Sequence, residues 1–337
     1  MVGFKDETGI GRMCQDIRSV LGIGKHMVAP SERLASKNNF QDSEYLMTES
    51  LSMDELCHQL KGLIGIICIE RIHWHKLLIK AAKSLGLKII CVPMWEWFRG
   101  TDQDWKRVDR FLCPNLKSLG ILKSYGYNNA FIINWTLDIS SLPHRKVKGS
   151  AHTFIHNVGL IDHDDRKGTK LVIEAFKRVK KTNLKLILRI QKPSNLPKID
   201  NRIEIITGNL EKPSELYEEG QVAIQPSRME GLGFMVLEPV CSGLPVITTN
   251  GAPMNEYVQN KNLLIKTNFF KRKAFAYKSA GIKQAFLTNP RINDLTKKIN
   301  WCSKNDLSSI SEANRNWALE QFDTNKLRKE WKEALTF

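Results

Sequence analysis

No stretch of the chain approaches the roughly 18 uncharged apolar residues that a membrane-spanning helix requires. The opening, MVGFKDETGIGR, lacks the long apolar block of a secretory signal, so the expectation is a protein of the cytoplasm. Cysteines are few and unpatterned: the seven, at 14, 57, 68, 91, 113, 241 and 302, are odd in number and never spaced C-x-x-C. This excludes a disulfide framework and a zinc ribbon, and leaves reduced thiols that mostly fill the core. Acidic residues are in deficit, 35 Asp and Glu against 51 Lys and Arg, for a formal net charge of +16. Such a balance draws the protein to polyanions, whether nucleic acid, an anionic bilayer or diphosphate-bearing substrates, without choosing among them. Internal repeats and low-complexity tracts are also missing.

What the 337 residues do carry is an alternation of short β-branched runs with helix-period segments. That alternation is the mark of parallel sheets joined by helices, and the length suits two such units. In the first half, strands are expected at 26–29, 63–70, 88–93 and 130–135, with helices at 10–21, 53–61, 73–85 and 115–125. The polar, basic segment SSLPHRKVKGSAH, residues 140–152, is the linker candidate. Beyond it the alternation restarts with TFIHNV, the helix TKLVIEAFKRVKK, LKLILRI, RIEIIT, QVAIQPS, a helix after Gly233, and LPVITT. The expected domains are therefore 1–145 and 146–337, both Rossmann-like. The tail from about 305 should be helical, with Asp323 and Thr324 capping its final helix.

One stretch concentrates chemistry. Residues 225–256, QPSRMEGLGFMVLEPVCSGLPVITTNGAPMNE, place Glu230 in the loop after a strand and Glu238 about one turn into the helix that follows. Both carboxylates fall at the carboxyl edge of a parallel sheet, where open α/β folds bind ligands. Gly231 and Gly233 admit close backbone approach, and the N–H groups opening the helix favour a phosphate. A carboxylate accepts two hydrogen bonds at once, which suits the adjacent hydroxyls of a ribose or hexose. Spacing alone would make two glutamates eight positions apart a solvated surface; their flanking residues argue instead for a sugar-nucleotide site.

The pattern P-S-x-x-E-G-x-G-x-x-x-L-E-x-x-x-x-G-x-P-V-I, followed by G-x-P-x-x-E, resembles the signature of the retaining glycosyltransferases of family 4. The resemblance continues in RKGTKLVIEAFKRV (166–179), RIEIITGNL (202–210), TGIGR (8–12) and FIINWTLD (131–138). It implies an α/β protein of GT-B architecture: two Rossmann-like domains facing each other across a cleft, with C-terminal helices packing back and the last crossing to the first domain. It further implies that Glu238 holds the donor ribose and that Glu230 holds donor hexose hydroxyls near the reacting carbon. Lys167 would face the diphosphate, and the backbone of Leu232, Gly233 and Phe234 would cap the phosphate or sugar. Gly9 and Gly11 match the glycine loop of the first domain, and Gly208 the turn lining the nucleobase pocket. Two positions depart from the pattern. Gly159 is followed by Leu160 where many members have an arginine, so the charge falls to Arg166 or Arg189. Where many members place a histidine after the fourth strand, the chain reads PMWEWFRG, and Glu96 is the nearest polar candidate.

Other constellations read differently. DQD (102–104) and DHD (162–164) match the metal-holding D-x-D of glycosyltransferases of the other main fold, yet neither ends an apolar strand, so they are expected as surface loop and no metal is called for. HWH (73–75) is expected to open a helix, where residues two apart cannot share an ion. Gly9-Ile10-Gly11 lacks the third glycine of a dinucleotide fingerprint. Trp95, Trp97, Phe98 and Trp105 fit an acceptor-stacking surface or the core equally well. The basic, aromatic stretch 268–283 fits an insertion loop or helix with a solvated basic face, or a contact with an anionic bilayer or a nucleic-acid strand.

The expected activity is transfer of a sugar, with retention, from a nucleotide-diphospho-sugar to a glycan or lipid-linked acceptor in surface polysaccharide biosynthesis. Neither cofactor nor metal is required, and peripheral contact with an anionic membrane is expected ahead of nucleic acid. Rival readings are a nucleotide-sugar 2-epimerase of the same fold, a DNA-modifying glycosyltransferase, and a non-enzymatic polyanion-binding protein.

Overall fold

The computed structural model of the chain describes residues 1–336 except 7–8, 31–42, 101, 162–163, 193–195, 198, 211, 269–271 and 274–285. The chain divides into a first unit, Met1–Asp138 with Phe322–Phe337, and a second, Ile139–Ser279 with Lys283–Gln321.

In the first unit the strands are β1 (Val2–Gly3), β2 (His26–Val28), β3 (Glu44–Leu46), β4 (Gly65–Glu70), β5 (Lys88–Pro93), β6 (Arg110–Cys113) and β7 (Ala130–Ile132). They form one parallel sheet in the order β3-β2-β1-β4-β5-β6-β7, so the winding reverses between β1 and β4. Helices α1 (Gly9–Leu21), α2 (Met53–Leu60), α3 (Leu78–Ser84) and α4 (Leu116–Ser124) connect it. β4 and β5 are buried almost from end to end, which is why they read as unbroken apolar runs. β1, β3 and β6, of two to four residues, are not among the strands expected from the sequence.

HWH does not open a helix. Residues 73–77 form a turn in which Leu77 N donates to His75 Nδ1 at 3.1 Å, and α3 starts only at Leu78. The final helix, α9 (Thr324–Leu335), belongs to the first unit. Asp323 Oδ1 caps it by accepting from Lys326 N at 2.8 Å. Trp331 Nε1 donates to Asn134 O at 2.8 Å, and Arg110 reaches the carbonyls of Ala334 and Thr336.

The second unit holds β8 (Thr153–Gly159), β9 (Lys185–Ile190), β10 (Ile203–Thr207), β11 (Val222–Gln225), β12 (Val246–Thr249) and β13 (Leu264–Ile265). They too form a parallel sheet, ordered β10-β9-β8-β11-β12-β13, with the reversal between β8 and β11. Its helices are α5 (Thr169–Lys177), α6 (Phe234–Cys241), α7 (Ile292–Cys302) and α8 (Ser308–Gln321). α7 buries Leu295, Ile299 and Cys302, a helical spacing that the sequence displays but the reading above passes over. The linker candidate is a strap pinned to this unit: Arg145 N donates to Ser242 O at 2.7 Å and Val147 N to Ser311 Oγ at 3.0 Å. Of the basic stretch, Asn268 and β14 (Arg272–Lys273) are described, β14 pairing with β15 (Phe286–Leu287) in a two-stranded ribbon; the rest of 268–283 lies outside the described residues.

All seven cysteines are free, and all but Cys57 are buried. Among the described residues, no helix is long and apolar enough to cross a membrane.

Candidate active site

β11 and β8 flank the reversal of the second sheet, and the loops leaving their carboxyl ends build the site. From β11 the chain passes through Pro226 to Glu230, then to Gly233, whose φ of 92° precedes the first turn of α6. No side chain caps that helix start. Residues 236–241 are all buried, so α6 is enclosed all round instead of showing a single apolar stripe. Tyr257 holds the loop from behind, its hydroxyl donating to Leu232 O at 2.8 Å.

From β8 comes the lysine loop, and Asp165 shapes it. With φ at 46°, Asp165 turns its carboxylate onto α5, where Oδ1 accepts from Thr169 N at 2.9 Å and Oδ2 from Lys170 N at 3.0 Å. Two opening amides of α5 are thereby satisfied within the protein. Gly168 has φ 73°, and a Cβ there would stand 2.8 Å from Pro226 O. That close approach stitches the two loops together, as do Arg228 N donating to Arg166 O at 2.6 Å and the Arg228 guanidinium donating to Asp164 O at 3.0 Å. Beneath them lies the fully buried His156. Its Nδ1 donates to Ile224 O at 2.6 Å and its Nε2 accepts from Thr169 Oγ1 at 3.2 Å. Burial holds this imidazole down to about 4, so it stays neutral and works as a brace.

The stitching brings Lys167 Nζ to 2.6 Å from Glu230 Oε1. Their side chains are only 17% and 9% exposed. Burial pushes the Glu230 carboxyl up, but Lys167 and then Arg166 outweigh it, and the group ends below the usual carboxylate range. The result is an ionised carboxylate on which two cations act, in the loop that leads into α6. Glu238 is 1% exposed and accepts the Tyr217 hydroxyl at 2.5 Å. Tyr217 closes the 3-10 turn Pro213–Tyr217, and Arg145 ties that turn down through Tyr217 O at 3.0 Å. Asp165, His156, Tyr217 and Tyr257 are members the sequence reading did not single out. Only Asp165 left a local signal, as an aspartate four residues ahead of the helix.

The remaining candidates lie as follows. Arg189, on β9, pairs with Glu219 and approaches Asn157 Oδ1 at 3.5 Å, whereas Arg166 is the arginine whose charge acts on Glu230. Gly208 follows β10 with φ 110° and is exposed. Gly231 lies in the loop between Glu230 and α6. Gly9 and Gly11 open α1 in the first unit; a Cβ on Gly11 would meet Asp6 O at 2.0 Å, so the chain entering the helix can fold onto it only at glycine.

Glu96, also in the first unit, is buried in the 3-10 turn Trp95–Trp97. Trp95, Phe98 and Trp105 are core residues, which removes them as an acceptor-stacking surface; Trp97 is half-buried. DQD forms part of a 3-10 turn, with Asp102 accepting from Asp104 N at 2.9 Å and pairing with His73 at 2.9 Å. Of DHD only Asp164 is described. Among the described residues, no group of three His, Cys, Asp or Glu is placed to hold a metal ion.

Residues 153–280 match the family model described as glycosyl transferases group 1. No curated protein matches the chain by sequence. Among solved structures, the lipopolysaccharide outer core galactosyltransferase WaaB is 14% identical with a TM-score of 0.63, over 98% of each chain. Sucrose-phosphate synthase from Thermosynechococcus elongatus is 11% identical with a TM-score of 0.63, over 96% of this chain and 90% of that one. A TarM variant from S. aureus, in complex with Fondaparinux, alpha-GlcNAc-glycerol and UDP, is 14% identical with a TM-score of 0.57, over 85% of this chain but only 59% of its own. The chain thus has the GT-B fold, and the segment matching group 1 glycosyl transferases contains both glutamates and the lysine loop that meets Glu230.

Proposed function

We propose that this chain is a retaining glycosyltransferase that takes a nucleotide-diphospho-sugar as donor and a glycan or lipid-linked sugar as acceptor. The observation that carries the reading is the buried Lys167–Glu230 pair, with the charge of Arg166 acting on it, in the loop that leads into α6. In the ligand-free chain Glu230 occupies the cations. With donor bound, Lys167 and Arg166 turn to the diphosphate while Glu230 accepts from hydroxyls of the sugar. The bond from the anomeric carbon to the diphosphate oxygen breaks, and the leaving charge falls on Lys167, Arg166 and the helix N-terminus. The acceptor oxygen bonds to the same face of the anomeric carbon, its proton passing to the departing phosphate oxygen, so no protein nucleophile intervenes. Glu238 holds the ribose, in competition with the Tyr217 hydroxyl it accepts here.

The family match over 153–280 supports glycosyl transfer. The UDP held by the TarM variant supports a nucleotide donor, and the substrate in WaaB's name supports a surface glycan as the product class. The charge of +16 fits a cytoplasmic enzyme working against an anionic membrane face.

The two glutamates provide the test. Glu238→Ala removes bonds made in ground and transition states alike, so affinities for the free nucleoside diphosphate and for the whole donor fall together, by about 1.5 to 3 kcal/mol. Glu230→Ala spares the free nucleotide and lowers kcat by about 10² or more. Calorimetry with UDP, GDP, ADP and dTDP, beside steady-state kinetics, reads both. Equal loss of nucleotide binding in the two folded variants would sink the assignment.

A further inference from the structure

β4 of the first unit ends at Glu70, next to the point where the strand order reverses between β1 and β4. Ligands of open parallel sheets bind beyond the carboxyl ends of strands at such a reversal. The backbone hooks sharply there: Glu70 has φ 70°, and Arg71 N donates to Ile69 O at 2.9 Å. The hook lays the Arg71 guanidinium over two indoles, its central carbon 4.4 Å from the Trp74 ring centroid and 4.8 Å from that of Trp97. Both indoles are themselves fixed. Trp74 Nε1 donates to Ile69 O at 2.9 Å and its ring meets Phe4 edge-on at 4.8 Å, while the Trp97 side chain hydrogen-bonds the Glu70 carboxyl.

Stacking occupies the flat faces of a guanidinium and leaves the N–H groups on its rim to be satisfied. Arg202 shows how this chain satisfies an arginine that serves structure alone. Lying over Phe176, it donates to the carbonyls of Phe176, Val179 and Lys181 and pairs with Asp200. Among the described residues no backbone carbonyl accepts from the Arg71 guanidinium, although its charge acts on the neighbouring Glu70 carboxyl. Arg71 Nε is buried without a hydrogen-bond partner among the described residues. Burial raises the neighbouring Glu70 carboxyl to about 7 against the opposing charge of Arg71, so near neutral pH that carboxyl is only partly ionised beside the guanidinium.

On the glycosyltransferase reading above, we propose that Arg71 is the oxyanion-binding residue of the acceptor site, offering a guanidinium fork braced on Trp74 and Trp97 to a phosphate or diphosphate carried by the acceptor. A planar fork meets two phosphoryl oxygens at once, and a stacked one is already oriented before the ligand arrives. A lipid-linked diphosphate and a soluble sugar phosphate present the same oxygens, so the chemistry is common to both.

The first measurement is calorimetric titration of inorganic phosphate and pyrophosphate into the full chain carrying Lys167→Met and Glu230→Gln, which disables the anion site of the second unit. In that background Arg71→Gln raises the phosphate Kd at least about ten-fold, and Arg71→Lys, which keeps the charge but loses the fork, falls between. Phosphate binding that is absent from the parent, or equal in parent and Arg71→Lys, overturns the proposal even where Arg71→Gln fails to fold.

The second measurement uses the native chain with whichever donor supports turnover. Arg71→Gln lowers kcat/KM by about 10² or more for phosphate-bearing acceptors and by far less for an uncharged methyl glycoside. A sugar 1-phosphate in solution, set against the same sugar on polyprenyl diphosphate in vesicles, separates the two sources of the group. Equal losses on charged and uncharged acceptors refute the assignment. If no nucleotide-sugar is turned over, it is the glycosyltransferase reading that fails, and the phosphate titration still judges Arg71.

Discussion

Replacing Lys167 with methionine keeps the alkyl stem and its volume but deletes the charge 2.6 Å from Glu230. With the Glu230 side chain 9% exposed, water cannot take over the lost partner. Breaking such a buried pair from one side costs about 3 to 5 kcal/mol, most of it the desolvation of the charge left behind. Glu230→Gln costs less, about 1 to 2 kcal/mol, because the Lys167 stem can carry its ammonium outward to solvent. The double variant Lys167→Met/Glu230→Gln should regain most of the loss, since no uncompensated charge remains.

Linkage sets the pH dependence. In the native chain Glu230 titrates below its ordinary value, so the stability it contributes is present above the unfolded value and is lost as pH falls through the folded one. In Lys167→Met burial acts with less opposition, and the folded value rises. The penalty of that variant therefore grows from acid to pH 8. Differential scanning calorimetry of the full chain reads it as a Tm shift of about 2 to 4 °C per kcal/mol for a unit of this size. A Lys167→Met protein within about 0.5 kcal/mol of the parent at pH 8, or a loss that does not change with pH, would refute the view that the pair is buried and mutually dependent.

Three further outcomes are expected. Gly168→Ala combines a left-handed backbone, costing about 1 to 2 kcal/mol, with a Cβ only 2.8 Å from Pro226 O, so thermal melting should show at least that loss and nucleotide affinity should fall with it. Glu70→Gln should stabilise the chain at pH 8 but not at pH 4.5. A carboxyl raised to about 7 binds its proton more tightly folded than unfolded, so native stability drops as pH rises between those values, and denaturant titrations at both pH values check the sign. Turnover should survive EDTA, since Lys167 and Arg166 supply the charge at the leaving group; activity restored only by Mg²⁺ or Mn²⁺ would overturn that assignment.

Two parallel sheets and the Glu230–Glu238 stretch were readable from residue order, because a strand buried on both faces and a glycine-framed turn each leave a local pattern. β5 spans the residues the reading assigned to it, and α6 begins at Phe234. Local pattern has no hold on partners that are distant in sequence. Lys167 and Glu230 are 63 positions apart, and the pairing of Arg189 with Glu219 is likewise set by the fold. Tyr217 under Glu238 and His156 beneath the loops arise in the same way, from chain crossings that no window of sequence contains. The tryptophans make the point most sharply. WEWF reads alike whether it faces ligand or core, and packing alone put Trp95 and Phe98 inside while leaving Trp97 beside Arg71, since burial depends on what the rest of the chain brings against each ring.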